Sequence, residues 1–325
     1  MSEYGTELSV DDVRRAESAI RPHLPPTPLR RSFAVPGRDD VLLKLECWQP
    51  TGSFKVRGAI ANLSRLTNDQ AARGIVAASA GNHALGVAFA AQALGGRVKT
   101  IVFVPTSAPR AKVEKLRTFP VEVRERGTNY DEAYAAAQEE RKRTGATYVH
   151  AFDDPATAAG QGTIGLELLA QRPDVGTIVV PIGGGGLIAA IAVAAKAIDP
   201  TVRVVGVQPA ASPSYRESLK RGEAILEYPN EPTLADGIAG GIGDIVFAHR
   251  ARIDEDVLVS EAEIEDAMVA LVAQDQVVAE ASGAVGVAAL RAGKVRTTPG
   301  RPVAVVVTGA NVDARVLARL LRDRA

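Results

Sequence analysis

Short apolar runs rich in β-branched residues recur along the chain, and the stretches between them carry apolar residues three and four positions apart. The first pattern is that of strands covered on both faces, the second that of amphipathic helices. Strands are predicted at Val41–Leu45, Ile75–Ala78, Thr100–Val104, 121–125, 148–151, Thr177–Pro181, 202–207 and Val303–Val307. With helices between them, this alternation predicts an α/β fold of mainly parallel, twisted sheets covered by helices. Ser260 and Glu263 make a capping box ahead of Ile264, Met268, Leu271 and Val272, which share one helical face. Asn311 is placed to cap a last helix with Val312, Val316, Leu320 and Leu321 on one side and Arg315, Arg319 and Arg322 on the other. Arg141-Lys142-Arg143 before Gly145 predicts a cationic helix end that complements the helix dipole. The alternation from 74 to 148 is self-contained. A small lobe (74–148) inserted in a large, discontinuous one (1–73 and 149–325) is therefore expected, with the site in the cleft between them.

Composition narrows the function classes. The chain has 325 residues, 46% of them hydrophobic, enough for the cores of two lobes. Lys plus Arg and Asp plus Glu both number 38, so no net field favours nucleic acid or an anionic membrane surface. Cys47 is the single cysteine, which excludes an internal disulfide and a thiolate zinc cluster; between Glu46 and Trp48 it reads as a packed thiol. The first ten residues show no basic region followed by an apolar run, and the apolar stretch 187–198 is short and interrupted by Lys196. No secretory signal, no membrane span and a cytoplasmic location are the expectation.

Four segments carry candidate chemistry. In Thr51-Gly52-Ser53-Phe54-Lys55-Val56-Arg57 a lysine follows a strand and a turn of small residues. A lysine amine condenses with carbonyls, and burial beside cations such as Arg57 lowers its pKa enough to make it nucleophilic. Gly183, Gly184, Gly185 and Gly186, ahead of Leu187, follow an apolar strand and open a helix, so backbone N–H groups and the helix dipole converge on an anion. A phosphate cup and a reactive lysine on one chain point to pyridoxal phosphate, held at both ends. Ser79-Ala80-Gly81-Asn82-His83 is a second strand-to-helix turn whose N–H groups suit a carboxylate; taken alone, Asn82 and His83 also read as an ordinary cap and its neighbour. Thr308-Gly309-Ala310-Asn311 presents a hydroxyl at the end of a buried strand, where it meets a ring nitrogen or caps the last helix.

These segments, in this order, resemble the serine/threonine dehydratase (threonine ammonia-lyase) branch of the fold type II pyridoxal-phosphate enzymes, which are similar in fold to tryptophan synthase β. The resemblance runs through essentially the whole chain. It implies that Lys55 is the Schiff-base lysine with Phe54 beside the cofactor, and that Asn82 bonds the phenolic oxygen. It also implies that Gly183, Gly184, Gly185, Gly186 and Leu187 hold the phosphate, that Thr308 faces the pyridine nitrogen, and that Ser79, Ala80, Gly81 and His83 surround the substrate carboxylate. Segments 235–238 and 280–283 resemble stretches that border the cofactor. The implied activity is β-elimination of L-threonine or L-serine to a 2-oxo acid and ammonia, with a small amino acid as substrate and a homodimer or homotetramer as the assembly. Four departures refine this. Ala80 stands where racemising relatives carry a second serine. Gln208 and Ser214 stand where those relatives ligate a divalent cation with carboxylates, so no metal is expected. Thr308 and Ala310 replace the more usual serine and glycine. The chain ends soon after Asn311, without room for a regulatory domain, which points to a catabolic or unregulated enzyme. Other readings stay open: a dehydratase of 3-hydroxyaspartate or phenylserine, a serine racemase-like enzyme, and, from another class, a non-catalytic phosphometabolite-binding protein. β-Replacement is disfavoured by Val56-Arg57 after the lysine, and a nicotinamide dehydrogenase by the lack of a G-x-G-x-x-G followed by a ribose-binding acid.

Overall fold

The apolar runs become strands because helices cover them on both faces: Val41–Leu45, Thr177–Pro181 and Val303–Val307 are buried at every position. The computed structural model describes residues 4–108 and 110–324, so the first three residues of the amino-terminal segment lie outside it. In chain order the strands are β1 (Leu29–Arg31), β2 (Val41–Leu45), β3 (Ile75–Ala78), β4 (Thr100–Val104), β5 (Glu122–Glu125), β6 (Thr147–Tyr148), β7 (Thr177–Pro181), β8 (Arg203–Pro209), β9 (Glu255–Val259) and β10 (Val303–Val307). The helices are α1 (Val10–Ile20), α2 (Lys55–Leu63), α3 (Asn68–Arg73), α4 (Asn82–Ala93), α5 (Arg110–Arg117), α6 (Tyr130–Thr144), α7 (Pro155–Gln171), α8 (Gly186–Ile198), α9 (Ser214–Arg221), α10 (Asp244–Ala248), α11 (Glu261–Asp275), α12 (Ala281–Arg291) and α13 (Ala314–Arg324).

Among the described residues the strands form two sheets, β1-β2-β10-β7-β8-β9 and β5-β4-β3-β6. Every pairing is parallel except that of β1 with β2. Register decides where the site lies. Val303 pairs with both Val41 and Thr177, and Val307 with Leu45, so β2, β10 and β7 end side by side. The segments that follow leave the sheet at one edge, the carboxyl end where parallel sheets place ligands. The smaller sheet draws only on residues 75–148, yet Ile75, Ala77, Val87 and Ala90 share a core with Val56, Ile60, Ile164 and Ile178. Helices α2, α4 and α7 are the packing between the two sheets. A Cβ at Gly86 of α4 would stand 2.9 Å from the Lys55 carbonyl carbon, so α4 touches the first turn of α2 only because glycine is there.

Beneath that turn lies a buried ionic cluster. The fully buried Arg57 guanidinium donates to both oxygens of Glu46 (2.8 and 2.9 Å) and both of Glu167 (2.7 and 2.8 Å). Lys44 Nζ donates to Glu167 Oε2 at 2.9 Å, and Thr27 and Gln49 donate to Glu46. Two cations thus balance two carboxylates, and β2, α2 and α7 are tied at one point. Burial pushes the Glu46 carboxyl up, but the Arg57 and Lys44 charges and the hydrogen bonds from Arg57 and Thr27 together more than offset this and hold it below the usual range.

Several expectations are met and some corrected. Ser260 and Glu263 form the capping box of α11, with Ile264, Met268 and Leu271 buried, and α6 ends in its cationic turn with Gly145 left-handed at φ +71°. Cys47 is buried, its thiol pushed up to about 12, chiefly by burial. Asn311 does not cap the last helix: α13 starts at Ala314, where Asp313 accepts from the Arg315 N–H, and Asn311 is used elsewhere. The strand expected at 148–151 ends at Tyr148, because the next segment turns away toward Lys55. Strands β1 and β9, at the two edges of the larger sheet, were not anticipated. Among the described residues no helix is long and apolar enough to cross a membrane.

Replacing Arg57 by Met would leave Glu46 and Glu167 buried with only Lys44 to balance them. The expected loss is about 3–5 kcal/mol of stability, measured by denaturant unfolding; a loss below about 1 kcal/mol would show that the cluster is not what holds α2 in place.

Candidate active site

Lys55 is held from both sides. After β2 the chain makes a 3₁₀ turn at Glu46–Trp48, reverses through Gly52 and returns to β10, where Ser53 bridges Gly309 and the Phe54 N–H donates to the Thr308 carbonyl at 3.1 Å. Helix α2 then opens on Lys55, whose Nζ donates to the Ala151 carbonyl at 2.8 Å and lies 5.1 Å from the centre of the Phe54 ring. Burial lowers its pKa to about 8, against the pull of the Glu280 carboxylate, so roughly a tenth of the amine is uncharged at neutral pH, far more than for an exposed lysine. The expected part for Arg57 is corrected: its charge is spent on Glu46 and Glu167, and desolvation lowers the lysine without a cationic neighbour.

The glycine loop follows β7 and is clamped by its surroundings. A Cβ at Gly184 would lie 2.3 Å from the Phe152 ring, one at Gly186 2.3 Å from the Phe152 carbonyl oxygen, and one at Gly185 2.3 Å from Val246. Gly185 is also left-handed, at φ +87°. Each side of the loop that would carry a side chain is thus filled by packing. Helix α8 begins at Gly186, and its first-turn N–H groups have no intrahelical acceptor. That is a cradle for a phosphate. The loop and the lysine are adjacent through one peptide: Ala151 takes the Lys55 hydrogen bond, and Phe152 is the wall of the loop.

At the end of β3, the Gly81 N–H donates to Ser79 Oγ and Gly81 itself is the cap of α4, so Asn82 and His83 are not an ordinary cap pair. Asn82 Nδ2 donates to Glu280 Oε1 at 2.7 Å, and its Oδ1 accepts from Asn311 Nδ2 at 2.6 Å. His83 is buried, and its Nε2–H donates to the Val149 carbonyl at 2.8 Å; burial holds its pKa down to about 3, and the ring is neutral. What this turn offers a carboxylate is therefore the backbone N–H groups of α4's first turn. Ala80 is half-buried beside it, and Thr308 is buried at the end of β10. Ser53 Oγ is buried with no hydrogen-bond partner in the protein.

Glu280 is the site group that motif reasoning left out. Segment 280–283 was expected only to border the cofactor, yet Glu280 starts α12 with its Oε1 against Gly309, where a Cβ would stand 2.2 Å away. Burial, reinforced by the nearby Asp236 charge, raises its pKa to about 7 against the hydrogen bond from Asn82. Its signal in the chain is weak, a lone acid before a small-residue helix. Segment 235–238 packs Ile238 on Gly183. Gln208 donates to Ser214 and accepts from the Tyr215 N–H, fastening α9 to β8.

A buried amine poised near neutrality and an anion cradle one peptide away fit a phosphorylated carbonyl compound at both ends. Similar proteins point to the same cofactor. The model of a family described as pyridoxal-phosphate dependent enzyme matches residues 20–309. An L-threonine ammonia-lyase of Thermotoga maritima is 44% identical, over 97% of this chain and 78% of that protein. Among solved structures, a T.th. threonine deaminase is 38% identical with a TM-score of 0.85, covering 94% of this chain and 99% of its own. Maize serine racemase is 32% identical with a TM-score of 0.90, covering 97% of each chain.

Gly186→Ala is the sharpest test of the cradle, because the atom its methyl meets is backbone and no rotamer change makes room. Absorbance titration should show affinity for pyridoxal phosphate falling about tenfold or more, the equivalent of the roughly 1–3 kcal/mol of an overpacked site. Unchanged affinity would mean that the loop yields.

Proposed function

The chain belongs to the pyridoxal-phosphate dependent enzymes, and from that premise we propose that it is a threonine ammonia-lyase, converting L-threonine to 2-oxobutanoate and ammonia and L-serine to pyruvate and ammonia. The observation that carries this reading is the adjacency of the buried Lys55 amine to the glycine cradle, across the Ala151–Phe152 peptide. When bound, pyridoxal phosphate supplies a carbonyl carbon for amine exchange and a conjugated ring that accepts the electron pair released at the substrate α carbon.

The chain's own groups do the rest. Gly183, Gly184, Gly185, Gly186 and Leu187 hold the phosphate through backbone N–H groups. Asn82 would hold the ring's phenolic oxygen and Thr308 the ring nitrogen, its neutral hydroxyl supplying no carboxylate to fix a proton there. Elimination would suit that arrangement, because a ring with no fixed proton stores an electron pair poorly and loss of the β-hydroxyl as water disposes of that pair. The N–H groups of the 79–83 turn hold the substrate carboxylate. Lys55 Nζ would take the α proton; its lowered pKa of about 8 leaves part of it unprotonated at neutral pH.

Proton transfer from one side favours elimination over racemisation. A racemase needs a second acid–base group on the opposite face of the α carbon, and Ala80 has none. Neutral Gln208 and Ser214 favour a metal-independent enzyme. The same reading includes a small lobe of residues 74–148 within a large lobe of 1–73 and 149–325, assembly as a homodimer or homotetramer, and a cytoplasmic location.

The protein reconstituted with pyridoxal phosphate in chelator-treated buffer should release 2-oxobutanoate from L-threonine, and Lys55→Ala should lower that rate about a thousandfold or more. Normal turnover by the alanine variant would overturn the mechanism. Turnover of 3-hydroxyaspartate or phenylserine, with threonine and serine both inert, would move the substrate while keeping the chemistry.

A further inference from the structure

A chain of hydrogen bonds runs from the surface to the buried end of the site. Lys115 Nζ donates to Asn311 Oδ1 (2.9 Å); Asn311 Nδ2 donates to the Thr51 carbonyl (2.9 Å) and to Asn82 Oδ1 (2.6 Å); Asn82 Nδ2 donates to Glu280 Oε1 (2.7 Å). Its direction is fixed from both ends, because an ammonium only donates and an ionised carboxylate only accepts. Reversing either amide would set donor against donor. Asn82 therefore commits one amide hydrogen to Glu280 and keeps the other for a ligand. Glu280 has no room to retreat, since its Oε1 lies against Gly309.

On the reading that pyridoxal phosphate occupies the site, we propose that Glu280 is a positioning residue for the reaction, whose proton sets how firmly the Asn82 carboxamide is held against the cofactor ring. Ionised, Glu280 accepts a charge-assisted hydrogen bond, roughly twice as strong as a neutral one. Protonated, it holds Asn82 more loosely and withdraws the negative charge that helps Lys55 keep its proton. One proton thus acts on two groups that face the cofactor. The charged or titratable groups around it are Lys55 from α2, Asp236 from the 236–238 turn, Lys112 from α5 and the Cys47 thiol, with neutral Asn82 and Asn311 as bonding partners. The burial and the Asp236 charge that bring Glu280 to about 7 place the change inside the working pH range.

The test is a pH titration of the visible absorption of the bound cofactor in the holoenzyme, without substrate, for the native protein, Glu280→Gln and Asp236→Asn. The native band is expected to shift with a midpoint near 7. Gln, close in shape to the protonated acid, should abolish that transition, and Asp236→Asn, by removing a like charge, should move it to lower pH. The kcat profile should follow the spectrum while KM changes little. A transition that persists in Glu280→Gln, no transition in the native band, or an unmoved midpoint in Asp236→Asn would overturn the proposal. A protein-only readout separates this from failure of the cofactor reading. A carboxyl whose folded-state pKa is raised contributes stability below its ordinary value of 4.5 that is lost as pH rises through about 7. Glu280→Gln should therefore gain in melting temperature relative to the native protein between those values and hold the gain above 7. That gain without any cofactor band would refute the cofactor reading and the positioning role with it, while leaving Glu280's titration established; its absence would refute the titration itself.

Discussion

The position of Lys55 depends on the buried charge balance beneath it. Arg57 is two residues further along α2, and its guanidinium is bonded to Glu46 just past the end of β2 and to Thr163 and Glu167 on α7. An uncompensated buried charge costs several kcal/mol, so the cluster admits one relative placement of strand and helices. With the foot of α2 set in that way and its first residues bonded to the end of β10, the lysine has nowhere else to go. Parallel register then delivers Thr308 and the glycine loop to the same edge.

Burial also sorts the titrating groups by sign. It lowers Lys55 toward its uncharged form, raises Glu280 toward its protonated form and keeps His83 neutral. All three shifts have the same leading cause, removal from water, so none requires a dedicated counter-charge. The site gains a free amine and a carboxyl that changes state near neutrality, and it loses histidine as an acid. His83 instead spends its proton on the Val149 carbonyl.

The glycine loop shows how packing produces a binding surface. Glycines were expected there so that an anion meets backbone without obstruction. In the fold the space next to them is taken up by Phe152, Val246 and Ile238. The loop's N–H groups converge because the rest of its surface is pressed against these residues. Phe152 therefore belongs to the cradle although it carries no polar group, and its neighbour Ala151 joins the cradle to the lysine.

Much of this was legible in the chain because it is local. Apolar runs name the central strands, the Ser260–Glu263 box names a helix start, and the glycine and lysine segments each stand at a strand end with their chemistry intact. Sequence by itself determined the α/β class, the central strands, the amine and the anion cup. Edge strands β1 and β9 escaped because an edge is half solvated and loses the apolar continuity that marks an interior strand. Asn311 was misread as a cap because a cap is the nearest use for an asparagine, whereas its actual partners, Thr51 and Asn82, are 260 and 229 residues away in sequence. Glu280 was legible only as a neighbour. Its environment is assembled from α2, α4, α5, the 236–238 turn and the end of β10, and desolvation exists only after those elements meet. Only the tertiary structure decided which way Arg57 points, that His83 is neutral and where Glu280 titrates, since each depends on distances between groups that the chain keeps far apart.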